Sequence, residues 1–258
     1  MIAVDWSGAR VRAAKTIWLA EVIEGRLVRL ENGRGREQVF GYLKAEAERD
    51  PRVIVGFDFA FSLPAWFLEE RGFTSARELW ELADREAEEW LARCAPPFWG
   101  RPGKGRPDLG SARGHFRRTD TAVPDTGGIR PKSVFQIGGA GAVGTGSLRG
   151  MPILHRLSEA GFSVWPFDSP KPPLIVEIYP RVLTGAVNKS SASERAVYLY
   201  AYRDALGDDL RERAASSEDA FDAAVSALIM SRNLEDFAGL STPSDRRTML
   251  EGEIWHPS

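Results

Sequence analysis

Five carboxylates occupy positions where a carboxylate is hard to accommodate. Asp5 closes the apolar run Ile2-Ala3-Val4, and Asp58 closes Val53-Ile54-Val55-Gly56-Phe57. Glu177 interrupts an apolar stretch between Val176 and Ile178. Asp219 and Asp222 stand three apart among Ala220, Phe221, Ala223, Ala224 and Val225, a spacing that puts both on one helix face. A charge in such surroundings is costly unless it is paired or bound to a cation. Carboxylates brought close together repel, and one must take up a proton unless a cation sits among them. Oxygen ligands without His or Cys favour Mg2+ or Mn2+ over Zn2+, and His115, His155 and His256 form no ligand pair. Two such ions about 3.5–4 Å apart can activate water and stabilise the leaving oxygen of a phosphodiester. The expectation is metal-assisted hydrolysis with Asp5, Asp58, Glu177 and Asp222 catalytic, and with those four and Asp219 as metal ligands. Each acid also has a local use: Asp5 and Asp58 as turn caps, Glu177 as partner of an arginine such as Arg181, and Asp219 as complement to a helix dipole. The weight lies in the set.

Those acids need elements to carry them. Ile2–Trp6, Thr16–Ile23 and Leu27–Leu30 read as strands, with Glu24-Gly25 as a hairpin turn, so the chain opens with an antiparallel meander. Arg36–Arg49 has Val39, Phe40, Leu43 and Ala47 at helical spacing, and Asp50-Pro51 stops it. Val53–Asp58 is then a fourth strand. A helical crossover into an apolar strand implies parallel pairing, most simply beside the first strand. That would set Asp5 and Asp58 about 5 Å apart, at the carboxyl ends of strands where open α/β sheets place their sites. The capping box Ser75-Ala76-Arg77-Glu78 starts a helix that runs to Pro96-Pro97. Ile153–Ala160 reads as a short helix, Leu174–Tyr179 as a fifth strand, Ser191-Ala192-Ser193-Glu194 as the start of a helix to about Leu206, and Glu218–Met230 as a buried helix. This order predicts α/β architecture: three antiparallel strands, then parallel ones, helices on both faces, and a long insertion at about 60–150 within one domain spanning 1–258.

Composition sets wide bounds. The chain has 258 residues and a formal net charge of −2, so it is not a globally basic nucleic-acid binder, although local patches can steer a charged substrate. One cysteine, Cys94, excludes an internal disulfide and suits a reducing compartment. No stretch approaches the ~18 apolar residues of a membrane helix, and the N-terminus lacks the pattern of a signal peptide. A cytoplasmic protein without a membrane partner is expected.

Taken in order, Val-Asp-Trp-Ser-Gly at 4–8, Gly-Phe-Asp-Phe-Ala at 56–60, Lys-Ser-Val-Phe-Gln-Ile at 132–137 with Gly-Ala-Val-Gly at 141–144, Val-Glu-Ile-Tyr-Pro at 176–180 and Asp-Ala-Phe-Asp-Ala-Ala at 219–224 resemble a bacterial family of unknown function. Its members are predicted nucleases of the ribonuclease H-like superfamily. The resemblance spans almost the whole chain. It implies a ribonuclease H-like mixed sheet, with Asp5 matching the first-strand aspartate and Asp58 the fourth-strand acid. Asp219 and Asp222 are similar to the Asp-x-x-Asp of junction resolvases of this fold, which act as dimers, so a homodimer is compatible. Ribonuclease H proper carries a glutamate on its first helix; here Glu37, Glu46 and Glu48 offer no clear equivalent, which implies either that Glu177 substitutes or that the site is incomplete.

Between Trp99 and Arg118 lie Arg101, Lys104, Arg106, Arg113, Arg117 and Arg118 against the single acid Asp108. Such a loop can track a phosphate backbone or simply be solvated. Lys132, Arg113 and Arg117 are the candidate phosphate contacts of a nucleic-acid substrate. The glycine run at 138–146 lacks the Gly-Lys-Ser/Thr ending of a phosphate-binding loop and reads as a turn or as a helix N-terminus near the site. Two other functions fit the same acids. One is an ATP-binding phosphotransferase of the actin and sugar-kinase type, which would need a second copy of the core that 258 residues do not show. The other is a non-catalytic scaffold retaining the fold.

Overall fold

A computed structural model describes residues 1–258. Strands β1 (Ile2–Asp5), β2 (Trp18–Ile23), β3 (Arg26–Glu31), β4 (Ile54–Phe57), β5 (Ser163–Val164), β6 (Leu174–Ile178) and β7 (Ile254–Trp255) form one seven-stranded sheet. The order is β3-β2-β1-β4-β6-β5, with β7 also on β6. β1, β2 and β3 are antiparallel, whereas β4 runs parallel to β1 and β6 parallel to β4. The two shortest strands share the outer edge of β6: β5 pairs Leu174 and Ile175, and β7 pairs Glu177 and Ile178. The β2–β3 turn uses Glu24 (φ 49°) and Gly25 (φ 77°), the left-handed pair that a twist-matched two-residue hairpin requires.

Eleven helices cover the sheet. On one face lie α1 (Arg36–Arg49), α2 (Ala65–Glu69), α3 (Ala76–Arg93) and α5 (Gly144–Glu159), packed against Ile2, Val4, Val55, Phe57 and Ile175. The other face belongs to α9 (Glu218–Arg232) with α6 (Pro180–Thr184), α7 (Ala192–Tyr200), α8 (Asp208–Ala215) and α10 (Leu234–Ala238). This layer packs on Ala3, Ile54, Leu174, Val176 and Ile178. α4 (Arg118–Ala122) and α11 (Arg246–Glu251) are single turns between loops. The alternation of strand side chains between the two cores is the pleat itself, with a period of two. Gly56 lets α9 come close: a Cβ there would stand 2.7 Å from Met230 Sδ and 3.0 Å from Ile178 Cγ2. No helix is long and apolar enough to cross a membrane.

Several elements differ from the sequence reading. The helix expected from Ile153 begins at Gly144, nine residues earlier. Glycine density suggested loop, but a Cβ at Gly150 would run into the Phe59 ring, so that glycine serves close packing inside a helix. The helix expected to reach Leu206 ends at Tyr200, and a separate α8 follows. The segment between β4 and β6 supplies α2, α3 and α5, which complete one helical layer with α1.

Candidate functional site

Asp5 ends β1, and Asp58 follows β4 directly. The backbone N–H of Asp58 donates to the Val4 carbonyl at 3.1 Å, extending the parallel ladder, so the two aspartates are neighbours across one strand spacing. From β1 the chain leads to β2 on one side, and from β4 to β5 and then β6 on the other. The carboxyl ends of β1 and β4 therefore flank a topological switch point, where α/β sheets open a crevice. By the pleat, Asp5 falls on the side of Ala3 and Asp58 on the side of Ile54, both facing the α9 layer.

From that layer comes Asp222. α9 starts at Ser217, whose hydroxyl accepts from Ala220 N at 3.1 Å. Asp222 is only 8% exposed among the apolar residues of the helix. Its Oδ1 is buried without a hydrogen-bond partner, and its Oδ2 accepts from the ammonium of Lys189. Asp219, one turn nearer the start of the helix, is more open.

Charge crowding shows in the acidities. Burial, then Asp58, Asp222 and Asp219, hold the Asp5 carboxyl well above its ordinary range. Burial and the charge of Asp222 push Asp58 up to about 7. Burial pushes Asp222 up to about 6 against the pull of Lys189. Asp219 is raised by burial and by Glu218. Tyr179, just past β6, is pushed up to about 12 by burial and by Asp58, so its phenol keeps its proton at neutral pH.

Glu177 points the other way. Its register partner on β4 is Phe57, which belongs to the α1/α3/α5 core. There Glu177 Oε1 and Oε2 accept from Arg117 at 2.6 and 2.8 Å, and Oε2 accepts from Phe61 N at 2.9 Å. Arg117 is itself buried; its guanidinium also donates to Asp120 at 2.7 Å and to the Glu251 carbonyl at 3.2 Å. Burial works against the Arg117 charge, but Asp120 and Glu177 outweigh it and raise its affinity for the proton. Glu177 is thus the arginine partner that its position allowed, with Arg117 rather than Arg181. Arg117, expected at phosphate, has its donors committed to protein acceptors.

A cleft of about 210 Å³ opens at these strand ends, lined by Trp6, Asp58, Arg117, Lys132, Glu177 and Tyr179 among others; Asp58 lines it, whereas Asp5 and Asp222 do not. Lys132 therefore reaches it. Arg113 lies outside, ion-paired with Glu70 at 2.5 Å. The glycine run ends as the first turn of α5, whose Gly146 carbonyl accepts from Trp6 Nε1 at 3.1 Å. The basic loop is anchored on its inner side: Trp99 N donates to Phe135 O at 3.0 Å, and Ile137 N to Trp99 O at 2.9 Å. On α1, Glu37, Glu46 and Glu48 pair with Arg156, Arg49 and Lys44, on the face away from Asp5 and Asp58.

No three His, Cys, Asp or Glu side chains stand together as a finished metal-binding set. Asp5, Asp58 and Asp222 interact electrostatically, and Asp222 keeps one buried oxygen without a partner. Their hard carboxylate oxygens suit Mg2+ or Mn2+. Sequence reading missed Lys189, for nothing in Val187-Asn188-Lys189-Ser190 marks it. It also missed Asp120 and Glu251, which lie in loop and single-turn segments. No family model, curated protein or solved structure matches the chain.

Proposed function

We propose that this chain is a ribonuclease H-like, divalent-metal-dependent hydrolase that cleaves a phosphodiester of nucleic acid, with Asp5, Asp58 and Asp222 as the oxygen ligands of Mg2+ or Mn2+. One observation carries the reading. Asp5 and Asp58 are neighbours across one strand spacing at the switch point of a mixed sheet, Asp222 on α9 lies within electrostatic reach of both, and burial with mutual repulsion raises all three above their ordinary acidity range. Such an arrangement is unfavourable for the fold unless a cation compensates it.

A divalent ion held there would supply a water acidic enough to attack phosphorus and positive charge for the departing oxygen. The chain's own groups do the rest. Tyr179, which lines the cleft and is protonated at neutral pH, would donate a hydrogen bond to a substrate oxygen there. Lys132 brings a positive charge to the same cleft for a phosphate oxygen. Trp6, tied to Gly146, forms a rigid wall. Glu177 and Arg117 hold β6 to the loop before α4 and so position Tyr179, two residues from Glu177. Asp219, one turn from Asp222, stays available as a further ligand.

The test is calorimetric titration with Mn2+ and Mg2+, followed by a screen of DNA and RNA substrates in the same buffer. Binding to the wild type that is lost in Asp58→Asn and in Asp222→Asn, with metal-dependent cleavage lost alongside, is the expected result. Full metal binding in both variants would refute the assignment.

A further inference from the structure

The basic stretch at 99–118 carries charges that the protein leaves unmatched. Elsewhere on the surface many arginines are answered by an acid: Arg52 pairs with Asp50, Arg85 with Glu81 and Arg93 with Glu89, at 2.9, 2.7 and 2.9 Å. Around the cleft, Arg10, Arg12, Arg101, Lys104, Arg106 and Lys132 are all exposed and none forms an ion pair. The ion pairs of this region use Arg113, Arg117, Arg118 and Arg149 instead. The neighbouring acids are already engaged, Glu88 with Arg149 at 2.6 Å and Asp108 with the Gly110 N–H at 2.8 Å.

These charges belong to one continuous rim. Lys132 lines the cleft and packs on the glycine run, for a Cβ at Gly141 would stand 3.5 Å from Lys132 Cε. The same run meets the basic loop backbone to backbone: a Cβ at Gly138 would lie 2.5 Å from the Gly100 carbonyl oxygen, an approach that glycine alone permits. Gly100 N donates to the Lys104 carbonyl and Lys104 N to the Arg101 carbonyl, both at 2.8 Å, so a closed turn presents Arg101 and Lys104. Arg106 follows, its guanidinium 6.0 Å from the Trp99 ring centre and 5.7 Å from that of Phe116. The rings hold that charge in place without neutralising it. From the opposite wall of the cleft, Gly8 leads to Arg10. Arg36 fixes that loop by donating to the Ser7 and Ala9 carbonyls at 2.6 and 2.7 Å, and Arg10 and Arg101 line one hollow together with Arg149.

A fixed row of unmatched cations that begins inside a cleft and runs out of it is complementary to a polyanion entering that cleft. On the phosphodiester reading above, we propose that the rim from Lys132 through Arg101 and Lys104 to Arg106, with Arg10 beside it, is the track for the sugar–phosphate backbone of a nucleic-acid strand. Its contacts go to phosphate, so the track positions a strand without reading its sequence. It needs no divalent ion, and its binding is therefore separable from the hydrolytic site.

The test is fluorescence anisotropy with a fluorescein-labelled oligothymidylate, and with a labelled duplex of the same length, in EDTA over a range of NaCl concentrations. Arg101→Gln, Lys104→Gln and Arg106→Gln are combined in one variant. Arg52→Gln, Arg85→Gln and Arg93→Gln, which remove the same charge elsewhere, are combined in a second. The expected result is salt-dependent binding by the wild type, with the slope of log Kd against log salt reduced by about 2 for the single strand in the first variant and unchanged in the second. The tighter of the two wild-type complexes names the form of nucleic acid that the track carries. A wild-type slope in the first variant would overturn the track, and so would equal losses in both variants, which would make the effect one of net charge. Should the first variant lose its circular-dichroism spectrum, Arg101→Gln with Lys104→Gln, which touches neither ring, takes its place with an expected reduction of about 1.4. A wild type that binds neither oligonucleotide at the lowest salt would also overturn the track, while Mn2+ binding at the aspartates, read separately by calorimetry, decides the hydrolytic site on its own.

Discussion

Replacing Asp58 by asparagine should stabilise this protein when no metal is present, increasingly as the pH rises from about 4 through 7. Asp58 is raised from 3.8 to about 7 by burial and by the charge of Asp222. Because its folded proton affinity exceeds the unfolded one, its contribution to stability is fully present below about pH 4. It is lost as the pH rises through about 7. At about 1.4 kcal/mol per pKa unit, ionising Asp58 in the folded protein costs about 4 kcal/mol by pH 8. Asparagine has the same shape without the charge, so the gain should be close to zero at pH 4 and should approach that value at pH 8. For a chain of this length, about 2–4 °C per kcal/mol sets an upper bound of about 8–16 °C on the rise in Tm. The assay is thermal unfolding of wild type and Asp58→Asn in EDTA at pH 4, 6 and 8, repeated with excess Mn2+. The ion should raise the wild-type Tm at pH 8 by mass action and leave the variant nearly unmoved. A variant destabilised equally at all three pH values would refute the argument, because it would make Asp58 a structural hydrogen-bond acceptor rather than a crowded charge.

Two further outcomes follow from the packing. Arg117→Met leaves Glu177 and Asp120 buried without their guanidinium, so it should lose about 3–5 kcal/mol in urea unfolding. Adding Glu177→Gln and Asp120→Asn should restore a large part, and no recovery would mean that the arginine acts through packing alone. Gly56→Ala places a methyl 2.7 Å from Met230 Sδ and should cost about 1–3 kcal/mol; in a Met230→Ala background the cost should fall, leaving the 3.0 Å approach to Ile178 Cγ2.

Much of the local structure is written in local pattern. The positive-φ pair Glu24-Gly25, the box in which Glu78 Oε2 accepts from Ser75 N at 2.9 Å, and the apolar runs at Ile2 and Ile54 each act within a few residues, where sequence and geometry are the same problem. The parallel pairing of β1 with β4 also follows from local order, because a helix between two apolar strands leaves few alternatives. Aspartates at the ends of those strands are accordingly legible from the residues alone.

What the tertiary structure decided is which groups meet. Register with Phe57 sends Glu177 to the face opposite Asp58, since a strand reverses its side chains at each residue and only the pairing sets the phase. Arg117 finds Glu177 across sixty positions, and Lys189 finds Asp222 across thirty-three, both from segments without periodicity. β5 and β7 are two residues each, too short to carry a pattern, and exist because the edge of β6 offers them hydrogen bonds. Carboxylates announce themselves in a sequence by interrupting apolar runs. The cations that answer them sit on loops, where charge is ordinary, and only their placement in space gives them a role.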